Sequence, residues 1–347
     1  MLFGNVAQSL IYNYSRARSL GFTLEYAFLN SLWLAVPGAK RSDLLFNRDT
    51  SDVVRQRLFE FLERDSRNIT EGLYPISVLA PERPTTHIKR IPLLMMDGAL
   101  LYLRRAQGRT TQFSKAAQDF LNELPRYYRR NFHYQTDGYL SERSAELYEH
   151  QVEMLFGGTA DAMRRLILEP LRRQFGPGDG KGLTFLEIGA GTGRATRFVH
   201  LAYPKAKIVA TDLSDPYLHE ARRKLAKFHR IDFVQADGAK LPFQDGHFDA
   251  AYSVFLFHEL PRDARKGVLS ESKRVVKSGG FVGLVDSLQT GDVKVFDDML
   301  SGFPKQFHEP FYRDYIANPM EGIMQELGLR HVSSDFGLFS KVCWSRV

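Results

Sequence analysis

The chain of 347 residues has one cysteine, Cys343, and two tryptophans. A single thiol builds neither a disulfide framework within the chain nor a cysteine zinc cluster. That scarcity suits a reducing, cytoplasmic setting. Long uncharged apolar runs are also missing, and no stretch reaches the roughly 20 residues that cross a bilayer. Residues 20–37 are apolar in places, but Glu25 and Asn30 interrupt them. No clean small-residue cleavage pattern follows Trp33, so this is not read as a signal peptide. In a cytoplasmic chain the Asn68-Ile69-Thr70 sequon is a chance match. Strong charge of one sign is absent too. The net charge is +7, with 20 Lys+Arg against 16 Asp+Glu in residues 1–150 and 27 against 24 in the rest. An excess spread this evenly suits a solvated surface better than a nucleic-acid or lipid-binding arm. No Gly-Lys-Ser/Thr triplet occurs, which excludes a P-loop.

What the chain does have is FLEIGAGTGRAT at 185–196. Phe185–Ile188 reads as a buried strand that breaks into Gly189-Ala190-Gly191-Thr192-Gly193, and a helix follows from Arg194. Glycines at alternate positions let the backbone turn sharply and approach a ligand closely. The loop also feeds a helix N-terminus, where free N–H groups favour an anionic group. Its Gly-x-Gly-x-Gly spacing lacks the longer gap of the dinucleotide fingerprint. Taken alone, the loop suits a nicotinamide, a flavin or S-adenosylmethionine.

From Leu183 onward, strands and helices alternate, which predicts a parallel sheet covered on both faces. Strands are expected at 183–188, 208–211, around 233–234, at 248–255 and at 281–286, with Lys277-Ser278-Gly279-Gly280 as the turn into the last. After a helix at 319–327, runs around 331–334 and 338–347 suit a closing antiparallel hairpin. Residues 1–140 read as a helical extension. One helix spans 52–68 with Ser51 as its N-cap, and a second apolar helix opens at Pro92 and runs to about Ala106. Basic flanks, Lys89-Arg90 and Arg104-Arg105, would also let that helix lie on a membrane surface as a peripheral contact. An ordinary core helix is the preferred reading. Tyr127–Tyr134 mixes basic and aromatic residues, a composition that stacks bases but equally suits a junction with aromatics inside. The junction is preferred.

Three acidic positions follow the loop. Asp212 ends the second strand, where a carboxylate can accept both ribose hydroxyls. Asp237, after the third strand, can accept from an exocyclic adenine amine or simply brace a turn. Asp249 reads as a strand-start residue. Together LEIGAGTGRAT, VATDLS, QADGAKLPF, DGHFDAAYSVFLFHELP and RVVKSGGFVGLVD, in this order, resemble the class I S-adenosyl-L-methionine-dependent methyltransferases. The resemblance covers roughly 148–347 and looks closest to the ubiquinone/menaquinone biosynthesis subgroup. It implies a Rossmann-like α/β methyltransferase domain over 141–347, mostly parallel, with a cap insertion at 288–315. It also implies cofactor roles. Gly189, Gly191 and Gly193 hold the methionine moiety, Asp212 the ribose and Asp237 the adenine. Glu187 organises the loop and bonds the amino group, directly or through water. Tyr148, Ala190, Leu213, Gly238 and Ser253 complete that set.

An oxygen or carbon acceptor needs its proton removed, so a base is expected beyond the fourth strand. His258 and Glu259 are the candidates there, and a neutral His258 imidazole would accept the proton. Residues 296–315 add Phe303, Phe307, Phe311, Tyr312 and Tyr315, with His308 as a further candidate base beside Glu309. Such an aromatic cap suits a small apolar or ring-bearing acceptor. Ser253-Val254-Phe255-Leu256 is not the motif of DNA amino-group methylation. Cys343 lies too far on to serve cytosine C5 chemistry, and only one glutamate of an arginine-methylating pair is present. The expectation is a small-molecule methyltransferase without a metal, with a homodimer left open. An RNA methyltransferase and a non-catalytic cofactor-binding protein are the alternatives.

Overall fold

In the computed structural model, which describes residues 2–34, 48–81, 84–121 and 124–347, the alternating C-terminal half forms one seven-stranded sheet. Its strands are β1 (Thr184–Ile188), β2 (Lys207–Asp212), β3 (Ile231–Gln235), β4 (Phe248–Val254), β5 (Val276–Ser287), β6 (Arg330–Phe336) and β7 (Ser340–Arg346). The order is β3-β2-β1-β4-β5-β7-β6. The first five are parallel, while β7 runs antiparallel to both β5 and β6. This is the class I methyltransferase sheet with its closing hairpin, as expected. Period-two alternation builds a core on each face. Phe185, Ile208, Ala250 and Phe281 join one buried cluster, while Leu186, Val209, Ala251 and Val282 join the other.

Helices α7 (Leu168–Phe175) and α8 (Arg194–Ala202) cover the first face through Leu171, Phe198 and Val199. On the second face lie α10 (Arg262–Val275) and α13 (Met320–Glu326), which contribute Val268, Leu269 and Ile323. Helix α9 (Asp215–Leu225) connects β2 to β3. The chain moves outward from β1 to β3, then returns to pair β4 with the other side of β1. That reversal opens a crevice at the carboxyl ends of β1 and β4, where ligands of open α/β sheets bind.

The N-terminal part is helical, comprising α1 (Leu2–Trp33), α2 (Arg48–Thr70), α3 (Pro84–Gln107), α4 (Lys115–Leu121), α5 (Glu142–Leu155) and α6 (Ala160–Arg164). It is pinned to the sheet domain by buried charge. Arg165 donates to both oxygens of Asp65 at 2.9 and 2.5 Å. Arg64 forks onto Glu169 and also reaches Asp335 at 2.7 Å. Helices α11 (Asp297–Phe307) and α12 (Tyr312–Ala317) fill the expected cap region.

Three local expectations are corrected. Ser51 is not an N-cap, because α2 already runs from Arg48. Pro92 does not open α3 but lies inside it, and Pro84 takes the first position, where a missing N–H is tolerated. The Lys277–Gly280 segment is not a turn before β5. The strand starts at Val276 and shifts register against β4, with Gly279 at φ +75°. The inner face of α3 is buried, whereas Ile88, Met95, Met96 and Leu100 are exposed.

Candidate active site

The glycine loop turns at the switch between β1 and β4. Gly189, Gly191 and Gly193 all have positive φ, which lets the loop fold without a Cβ penalty. Asp212, at the end of β2, fastens it. One carboxylate oxygen accepts from Gly191 N at 2.7 Å and the other from Ser214 N at 2.8 Å. Burial outweighs these bonds and raises Asp212 to about 6. Glu187 accepts from the Tyr252 hydroxyl at 2.9 Å, and its burial raises it to about 7. Thr192 Oγ1 donates to Glu149 of α5.

Glu149, Glu187, Gly189, Gly191, Thr192 and Asp212 line one cavity together with Tyr148, Ala190, Leu213, Asp237, Gly238 and Glu259. Its wall carries five carboxylates (Glu149, Glu187, Asp212, Asp237, Glu259) against two guanidiniums, Arg164 and Arg194. An acid-rich wall disfavours a pyrophosphate and suits a ligand that brings positive charge.

A second cavity of about 260 Å³ adjoins the first. Tyr148 and Phe255 line both, so the two spaces share a wall. Phe255 has φ +58°, a left-handed conformation that costs a non-glycine residue about 1–3 kcal/mol. The second chamber is mostly apolar. Tyr26 and Trp33 come from α1, Leu94 and Leu101 from α3, and Phe303 and Phe307 from α11. Its polar wall carries His133, His258, Ser287, Glu309 and Tyr312.

Two linked proton networks meet there. His258 Nδ1 stands 2.6 Å from Asp286 Oδ1, while Asp286 Oδ2 accepts from Phe257 N at 2.7 Å. Burial disfavours the His258 cation, but the Asp286 carboxylate outweighs it and raises His258 to about 9. His133 lies between two glutamates. Its Nδ1 is 2.8 Å from Glu309 Oε1 and its Nε2 is 3.2 Å from Glu259 Oε1. Burial again opposes the charge, and Glu309 and Glu259 together raise His133 to about 10. Tyr139 also donates to Glu259.

Of the residues expected at the cofactor, the cavity gathers Tyr148, Glu187, Gly189, Ala190, Gly191, Asp212, Leu213, Asp237 and Gly238. It does not gather Gly193 or Ser253. Gly193 is a packing glycine, since a Cβ there would meet Leu225 at 2.7 Å. Ser253 is buried within β4 opposite Leu284. Asp237 also braces its turn, accepting from Ala239 N at 2.9 Å. Asp249 accepts from Thr184 N and pairs with Lys277, as a strand-start brace would.

Among the expected bases, His258 reaches the second chamber and Glu259 the first. His258 is not the neutral imidazole expected, because Asp286 holds its proton. His308 is not brought to either chamber. It ends α11 at φ +40°, packs on Tyr134 at 5.3 Å, and is lowered to about 4 by burial, Arg130 and His133. Its neighbour Glu309 points inward instead. The basic-aromatic stretch 127–134 is not an open stacking platform. Tyr128 and Phe132 pack with Tyr139, which meets Tyr217 of α9 at 5.2 Å.

His133 was not singled out from sequence as a site residue. Its only signal was the aromatic stretch around it, since it meets Glu259 across 126 positions.

Comparison with known proteins follows this geometry. Residues 185–280 match the family described as a methyltransferase domain. A demethylmenaquinone methyltransferase of Clavibacter sepedonicus is 42% identical over 101 residues, covering 29% of this chain and 40% of that protein. The ubiquinone/menaquinone biosynthesis C-methyltransferase UbiE of Desulfotalea psychrophila is 36% identical over 111 residues, 32% of this chain and 43% of that protein. The chain thus spans less than half the length of these two relatives. A crystal structure of a SAM-dependent methyltransferase from Aquifex aeolicus superposes with a TM-score of 0.39 at 22% identity, over 51% of this chain and 87% of that one. Residues 185–280 thus match a methyltransferase domain, and the chain is similar to parts of enzymes named for ubiquinone and menaquinone biosynthesis.

Proposed function

We propose that this chain transfers a methyl group from S-adenosyl-L-methionine to a small, apolar, ring-bearing acceptor of the hydroquinone type. The observation that carries the proposal is the pair of cavities divided by Tyr148 and Phe255. One is acidic and built on the glycine loop, and the other is apolar with a polar end. The named activities of the similar proteins support the choice of acceptor class.

The residues of the first cavity fit the cofactor. Gly189–Gly191 leave room for its methionine part, Asp212 keeps lone pairs for ribose hydroxyls, and Asp237 and Gly238 flank the adenine. Glu187, buried and raised to about 7, gains a partner when a cationic amine or sulfonium enters. When bound, the cofactor supplies a methyl group already activated on sulfur, so the protein's own work is positioning and exclusion of water. Buried Tyr312 and half-buried Phe303 would perform that exclusion.

The acceptor's hydroxyl would face His258 and Glu309. His258 takes its proton at Nε2 once the imidazolium has itself been deprotonated, and Asp286 fixes the ring through Nδ1. His133 bridges Glu259 and Glu309 through its two ring nitrogens, acting as a positioning residue. The test is incubation with methyl-labelled cofactor and separate hydroquinone, phenol and RNA substrates. Label in an apolar hydroxylated ring compound is expected. Label in RNA alone, or in nothing, would contradict the proposal.

A further inference from the structure

Away from both chambers, three helices bring Glu25, His87 and His150 to one point. Glu25 lies on α1, His87 on α3 and His150 on α5. His150 Nε2 is 2.8 Å from Glu25 Oε1, and His87 Nε2 is 3.1 Å from Oε2. One donor atom from each residue lies within 4.8 Å of the others. Both rings therefore aim the same nitrogen at one carboxylate. They stack with centroids 4.0 Å apart, and Phe22 presents its edge to each at 5.9 Å. Two cations at that stacking distance would repel, so the arrangement favours neutral rings, each donating its Nε2 proton to Glu25. His150 is buried, and its Nδ1 has no hydrogen-bond partner among the described residues. The Glu25 contact is thus the hydrogen bond that orients this ring.

The contrast with His133 is instructive. There, two carboxylates sit on opposite ring nitrogens, which is the geometry of a proton bridge. A metal needs donors that converge, and among the described residues only the Glu25 cluster brings two imidazoles and a carboxylate together in that way.

We propose that Glu25, His87 and His150 bind a divalent transition metal, with zinc the ion best matched to two imidazoles and one carboxylate. Around tetrahedral zinc, donors about 2.0–2.1 Å from the metal stand about 3.3 Å from one another. The two imidazole-to-carboxylate gaps, 2.8 and 3.1 Å, need to widen by only a few tenths of an ångström. Zinc displaces the two Nε2 protons, which exchange through solvent onto Nδ1, so each imidazole stays neutral and ligates through its Nε2 lone pair. His87 and His150 line a third cavity of about 350 Å³, which gives the ion a path and leaves room for a water as fourth ligand. The metal ties α1 and α3 to α5, the helix that carries Tyr148 and Glu149 to the cofactor cavity.

The test uses the full chain stripped with a chelator, then titrated with Zn²⁺ by calorimetry and with Co²⁺ by visible absorption. One Zn²⁺ per chain with a dissociation constant in the micromolar range or below is expected. Intense four-coordinate bands with Co²⁺ and a higher Tm on loading are also expected. Glu25→Gln and His87→Ala should each weaken Zn²⁺ binding at least tenfold and abolish the Tm rise. Circular dichroism of the metal-free variants checks that they fold. If a variant misfolds, the wild-type titrations decide. Absence of Zn²⁺ binding or of cobalt bands in the wild-type protein overturns the proposal. So does binding that survives both substitutions, because the ion would then sit elsewhere.

Discussion

At the scale of single residues, Asp212 does two jobs with one carboxylate. It holds Gly191 N at 2.7 Å and it faces the cofactor cavity. Hydrogen bonds to a charged group contribute about 1.5–3 kcal/mol. Asp212→Ala should therefore weaken binding of S-adenosylhomocysteine by about 10- to 100-fold, read by calorimetry. Unchanged affinity would remove Asp212 from the site. His258 makes a sharper case. A base must be deprotonated to act, and Asp286 holds His258 at about 9. The rate of methyl transfer should rise from pH 7 through a midpoint near pH 9 and level off about one unit higher, and His258→Ala should lower the rate by about 10²–10⁴. A flat profile across that range would assign the proton to another group. Asp212 was legible in the sequence because its place is fixed by the nearby loop. The proton-holding state of His258 was not, because Asp286 approaches it from the neighbouring strand.

At the scale of elements, the loop-to-α8 junction depends on a close approach. Gly193 has φ +77°, and its missing Cβ leaves room for Leu225 of α9. Gly193→Ala combines a left-handed backbone with a 2.7 Å clash. It should destabilise the fold by about 1–3 kcal/mol in denaturant titrations. A neutral result would mean that α9 shifts freely. The parallel sheet was readable because short apolar runs alternate with helices, whereas its strand order was not. The closing hairpin was readable from its two strand-like runs, although β6 continues to Phe336 and the turn falls at 337–339. Helix starts in the N-terminal part were read less well. Pro84 opens α3, and Pro92, expected to open it, is tolerated inside the helix. The partners of α1 and α3 were not readable either. Tyr26, Trp33 and Leu101 reach the second chamber through contacts distant in sequence, and no local periodicity encodes such contacts.

At the scale of the whole molecule, the N-terminal helices and the sheet domain share buried charge. Asp65 and Arg165 are 3% and 4% exposed at their side chains. Removing one partner leaves the other buried and unpaired, which costs about 3–5 kcal/mol. Asp65→Ala should lower stability by that amount, whereas a surface pair such as Lys205–Asp179 should change it by less than about 1 kcal/mol. The two histidine networks set a pH dependence as well. His133 and His258 have folded values of about 10 and 9, above the ordinary 6.5. Their contribution is fully present below pH 6.5 and is lost as pH rises through 9 to 10. Tm should therefore fall between pH 6.5 and 9, and fall less in His133→Gln. A Tm that rises over this window would contradict the assigned charge states.

The most direct test of the two-chamber account fills one chamber and leaves the other alone. Leu101→Trp adds bulk to the apolar chamber, far from the glycine loop in the sequence. Labelled methyl transfer to a hydroquinone and calorimetric binding of S-adenosylhomocysteine are measured on the same sample. The account predicts that cofactor affinity stays within about twofold of wild type while transfer falls at least tenfold. Transfer at the wild-type rate would show that the acceptor does not occupy that chamber.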